Sequence, residues 1–159
     1  MPSITISGTV VDFPSTAASP DWSEAVIQFA QLVETALSSV VGPYDVSPQS
    51  FTIDSYNPGT DVTVPNLAFS TSTVRAAFIK YTCYRSTNST TVYEAGQIIV
   101  VYNASNPSSN KWEIITERAG NASISLTISD AGQFLLTTTS VSGINHAGKL
   151  TFSASALAQ

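Results

Sequence analysis

From residue 74 onward the chain repeats one pattern, a run rich in β-branched and aromatic residues followed by a connection of only a few residues. Connections that short leave no room for crossover helices, so successive runs lie antiparallel, as a meander or a Greek key. The runs are 74–85 (VRAAFIKYTCYR), 91–103, 111–118, 122–128, 133–139 and 149–156. In the first, Phe78 and Tyr84 fall on one face and Ile79, Tyr81 and Cys83 on the other. Apolar residues on both faces predict a central strand. Upstream, Pro43, Pro48, Pro58 and Pro65 leave room only for short edge strands near 51–55 and 61–64. The expected architecture is mainly β: an antiparallel β-sandwich over residues 43–159 with one N-terminal α-helix.

That helix spans residues 19–42. Ser19 caps its first amides, Pro20 suits its first turn, Asp21 and Glu24 face the positive end of its dipole, and Gly42-Pro43 ends it. Trp22, Val26, Phe29, Val33, Ala36 and Val40 recur at spacings of four and three and share one face. Ile27, Leu32, Leu37 and Val41 widen the apolar surface beyond a simple stripe. The row packs on the chain's own sheet or, as a short coiled coil, at an oligomer axis, and in a trimer both hold. Trp22, Val26, Phe29, Val33 and Val40 are the candidate interface residues. Residues 3–11 alternate like a strand or an arm laid on a neighbour, so 1–18, 19–42 and 43–159 are read as parts of one domain.

Charged residues make up 11% of the chain and balance to −5, while 24 Ser and 19 Thr carry most of its polarity. Six Lys and Arg scattered from Arg75 to Lys149 do not form the basic cluster that a phosphate backbone requires, so no nucleic acid is expected as partner. No run is long enough to span a bilayer and no secretory signal opens the chain, so no membrane partner is expected either. Cys83 is alone, reads as a small buried hydrophobe, and with one His cannot build an ordinary zinc site, so no metal or cofactor is expected.

The candidate catalytic groups are few. His146, in the turn GINHAG, would have to serve any Ser-His-Asp triad, against the plainer reading of a turn residue bonding to backbone. Glu113 and Glu117 lie roughly 13 Å apart on one strand face, beyond the separation glycosidases use, and read as a solvated face. The glycines are isolated and cradle no phosphate. Asn88, Asn103 and Asn121 begin glycosylation-like triplets that chance supplies in so hydroxyl-rich a chain. Exposed Tyr and Trp beside Asn and Thr would suit a sugar-binding groove, although Trp112, Tyr81 and Tyr84 are read as core residues. The chain is therefore expected to be no enzyme.

The segments FSTSTVRAAFIKYTCYR (69–85), EAGQIIVVYN (94–103), KWEIITERAG (111–120) and GINHAGKLTFSASAL (143–157), with SPDWSEAV at the helix start, resemble small virion structural proteins of tailed bacteriophages. The resemblance implies a β-rich accessory protein of the virion, present in many copies and a homo-oligomer, a trimer above all. It would act as a capsid decoration (cement) protein binding other virion proteins, major capsid or tail. The alternative it leaves open is a tail fibre or adaptor component, or a glycan-binding host-recognition module.

Overall fold

The computed structural model describes residues 3–6, 9–12, 26–33 and 42–158. The chain divides into two compact units, Met1–Pro43 and Tyr44–Gln159. In the first, β1 (Ser3–Ile6) and β2 (Thr9–Asp12) pair antiparallel, with Ile6 opposite Thr9. The single strand read across residues 3–11 is thus two paired strands, Ser3–Ile6 and Thr9–Asp12. Residues 26–33 are helical and form α1, the described part of the expected helix.

The second unit holds eight strands: β3 (Val46–Thr52), β4 (Gly59–Ala68), β5 (Val74–Ser86), β6 (Thr91–Tyr102), β7 (Trp112–Gly120), β8 (Ile124–Ile128), β9 (Gln133–Thr138) and β10 (Ala147–Ala158). They form a five-stranded sheet in the order β3-β10-β5-β6-β7 and a three-stranded sheet in the order β4-β9-β8, every pair antiparallel. The inner faces meet in one core that includes Val64, Leu67, Ile79, Ile98, Val100, Phe134, Leu136 and Leu150, each fully buried. This is the expected β-sandwich.

β5 is the central strand of its sheet and β3 and β4 are edges, as the sequence predicts. Both edge strands are longer than the prolines suggest, because Pro48 and Pro65 sit where a missing N–H interrupts no interior ladder. Not all sequential strands are neighbours. β7 and β8 are joined by residues 121–123 yet lie in different sheets, and β10 returns between β3 and β5, which makes the connection a Greek key rather than a plain meander.

A sheet-to-sheet link of three residues buries backbone groups that no ladder satisfies, and two buried charges supply the partners. Arg85, 4% exposed, donates through Nη1 to the carbonyls of Ala122 (3.3 Å), Ser123 (3.0 Å) and Thr139 (2.7 Å), and through Nη2 to Asn57 Oδ1 (2.5 Å). Glu94, 3% exposed, accepts the Ala122 N–H at 2.9 Å. Burial pulls the Arg85 guanidinium below its ordinary pKa.

Candidate functional site

The outer face of the five-stranded sheet is where the chain displays its aromatic and apolar residues. Strand alternation turns Phe78, Lys80, Thr82 and Tyr84 of β5 outward, with Tyr93, Ala95, Gln97, Ile99 and Val101 of β6 beside them. Register then sets these residues in rows across the strands. At one end Lys149, Tyr84 and Tyr93 are consecutive cross-strand neighbours on β10, β5 and β6. The two tyrosine rings stand 6.5 Å apart, inclined at 40°. Tyr93 is 68% exposed and Tyr84 39%.

They border a shallow hollow of about 450 Å³ whose rim includes Thr82, Ala95, Ala119, Lys149 and Thr151. The combination is two accessible ring faces, a cation and two hydroxyls around a mainly apolar floor. Tyr84 is therefore not the core residue expected, because it is out of phase with Ile79, Tyr81 and Cys83. Tyr81 and Trp112 are core, each 5% exposed.

A second, polar cleft of about 260 Å³ opens between β7 and β8, where the wider sheet overhangs the narrower one. Its floor is the Glu94 carboxylate, which accepts the Tyr81 hydroxyl at 2.7 Å and pairs with Arg118 at 3.5 Å, besides the Ala122 amide. Gly96, opposite Tyr81, leaves the space its ring fills, since a Cβ there would sit 2.8 Å from that ring. Burial, and then the bond to Glu94, push the Tyr81 hydroxyl well above the ordinary tyrosine pKa. Glu94 is the lone carboxylate among the residues lining this cleft, so the pair that glycoside hydrolysis needs is not assembled there.

Burial also raises the Cys83 thiol, up to about 12, with the Glu94 charge adding to the effect. Cys83 should therefore resist a thiol-directed reagent in the folded protein at neutral pH and react at once in denaturant. Rapid native labelling would show a thiol more open than this fold allows.

Among the described residues the His146 ring hydrogen-bonds a side chain, not backbone. Its Nε2 lies 2.8 Å from Asn57 Nδ2. Asn57 Oδ1 is already taken by Arg85 and by the Val141 N–H (3.0 Å), so Nδ2 must donate and the imidazole must accept as its Nδ1–H tautomer. Among the described residues no serine hydroxyl or carboxylate hydrogen-bonds to it, and a triad is not formed. Glu113 and Glu117 both lie exposed on β7, as expected of a solvated face. In α1, Val26 is 53% exposed while Phe29 and Val33 are partly buried; Trp22 and Val40 lie outside the described residues. Among the described residues no helix is long and apolar enough to cross a membrane.

No protein-family model matches the chain, and no curated protein matches it. Solved structures that resemble it include the tailspike protein of Acinetobacter phage vB_ApiP_P1 (12% identity, 69% of this chain, 22% of that one, TM-score 0.43). Others are the tailspike protein of Acinetobacter baumannii phage AM24 (12%, 72%, 26%, 0.35) and gp49 of Acinetobacter baumannii bacteriophage Fri1 (15%, 74%, 21%, 0.32). The chain spans between 21% and 26% of these proteins' length. All three are phage tailspike proteins. The expectation that the chain is no enzyme is corrected here, because the Fri1 tailspike is a capsular polysaccharide depolymerase.

Proposed function

We propose that the chain is a carbohydrate-recognition module of a phage tail component, which holds a saccharide of the host surface against the Tyr84–Tyr93 pair. The observation that carries this is the placement of two accessible rings on adjacent strands, over a mainly apolar hollow rimmed by hydroxyls and a cation. Pyranose rings present a C–H face that stacks on an aromatic ring and an equatorial belt of hydroxyls. The tyrosines serve the first, and Thr82, Thr151 and Lys149 serve the second. The sheet beneath is the rigid middle of the sandwich, so the rings are held in place before any sugar arrives and little ordering entropy is lost on binding. In the same proposal the α1 row of Val26, Phe29 and Val33, continued in sequence by Trp22 and Val40, makes the contact to other virion proteins.

Titration with fragments of bacterial capsular polysaccharide, beginning with that of Acinetobacter, tests it. Tyr93→Ala should weaken binding at least about tenfold, equivalent to roughly 1.4 kcal/mol, with the fold unchanged because the ring is exposed. Appearance of reducing ends in the same mixture would mark cleavage as well as holding. Equal binding by wild type, Tyr84→Ala and Tyr93→Ala, or no binding by wild type to any saccharide offered, sinks the proposal.

A further inference from the structure

The other end of the same sheet face carries a different kind of surface. Phe78, Ile99 and Ile115 form one row across β5, β6 and β7, and Ala76, Val101 and Glu113 form the row beside it, with Leu157 of β10 next to Ala76. Exposure is 38% at Phe78, 45% at Val101, 62% at Ile115 and 56% at Leu157, so the second unit's own packing leaves these side chains well exposed. A contiguous apolar patch of this kind on a sheet face marks an interaction surface rather than scattered exposure.

The row on the patch's inner border identifies the partner. It reads Lys80, Gln97, Glu117 across β5, β6 and β7. Lys80 and Glu117 stand two strands apart, about 10 Å between backbones, and do not pair with each other. Neither has an ion-pair partner among the described residues, where the one ion pair is Arg118 with Glu94. The face thus has a cation on one flank, an anion on the other at the same level, and a neutral amide between them.

We infer that this face docks on the same face of a second copy of the chain, through a two-fold axis running along β6. Such an axis lays β5 of one copy over β7 of the other and keeps every row level. Each Lys80 then meets the partner's Glu117, Phe78 meets the partner's Ile115, and Ile99 and Val101 meet their own equivalents on the axis. One self-complementary patch is used twice, as an isologous dimer requires. Packed sheets lie about 10 Å apart, and inclining the axis to β6 by half of the usual inter-sheet angle of roughly 30° still brings these central rows together. Tyr93 is six residues along β6 from Ile99, about 20 Å away, where the twist splays packed sheets apart, so this inference is independent of the sugar-binding proposal.

Sedimentation equilibrium on the full chain tests it. The expected mass is twice the 16.7 kDa of one chain. Ile115→Lys should shift it to the single-chain mass, and Lys80→Glu and Glu117→Lys should each loosen the dimer at least tenfold. The double variant carrying both charge reversals restores the Lys–Glu pairs with their signs exchanged and should recover the wild-type association. Far-UV circular dichroism on each variant checks that these exposed substitutions leave the fold intact. A single-chain mass at high micromolar concentration, a mass of three chains, a dimer indifferent to Ile115→Lys, or a double reversal that recovers nothing would each overturn the inference.

Discussion

Arg85→Met should cost the sandwich about 3–5 kcal/mol and lower its melting temperature by roughly 10–20 °C. Methionine keeps most of the apolar stem and its volume, so the loss reports the guanidinium and not a cavity. Three backbone carbonyls and Asn57 Oδ1 would each lose a charged donor at once in a place where water has little access, the Ser123 carbonyl keeping the Thr139 N–H and Asn57 Oδ1 the Val141 N–H. Those acceptors belong to the β3–β4 loop, the β7–β8 link and the segment after β9, so one side chain ties together three points where the chain leaves or enters a sheet. Arg85→Lys should recover little, because a compact ammonium cannot reach four acceptors laid out for a planar fork. Urea unfolding is the measurement. A midpoint for Arg85→Met that falls within about 1 kcal/mol of wild type would mean that water replaces the guanidinium and that the network contributes little.

Arg85 also shows what the sequence did and did not make legible. Alternation placed Ile79, Tyr81 and Cys83 inward, and Arg85 continues that phase, two residues on. Glu94 is likewise in phase with Ile98 and Val100. Both charges were legible as inward-facing by parity, but a lone charge at the end of an apolar run is more often solvated, and their carbonyl and amide partners lie far along the chain. The same parity distinguishes Tyr84, which looks outward, from Tyr81, which looks inward. Treating both as core took both faces of β5 to be covered, whereas the outer one leaves Tyr84 39% exposed.

In the second unit the strand count, the antiparallel pairing and the central place of β5 all followed from local pattern. The change of sheet at residues 121–123 did not, because a three-residue link looks the same whether it closes a hairpin or crosses the core. What decides it is long-range: Arg85 and Glu94 satisfy that link's backbone, and the Tyr81 ring occupies the space left by Gly96. The outer-face rows were equally hidden, since they join residues on β10, β5, β6 and β7 that only the register brings level. Both the proposed sugar contact and the proposed docking face therefore rest on cross-strand neighbours and not on any linear motif.

Phe134→Ala should destabilise the protein by about 3–5 kcal/mol, the other large effect expected in the second unit. Phe134 is fully buried on β9, the middle strand of the three-stranded sheet, and points across the sandwich. Its ring meets Phe69 edge-on at 6.2 Å, and Phe69 in turn lies 6.4 Å from Trp112 of β7. Removing it empties the site where the two sheets are held by aromatic contact, and neighbours fixed in two hydrogen-bonded ladders can close only part of the void. Gly132, just before β9 with φ +85°, packs against the Phe69 carbonyl, so the backbone around the cavity has little freedom to collapse. Ile144→Thr is the control: that side chain is 65% exposed and its replacement should change stability by less than about 0.5 kcal/mol. Urea midpoints for the two variants should differ by most of the Phe134 loss. Similar midpoints would mean that the sheets repack freely, and the aromatic bridge would then not be what holds them in register.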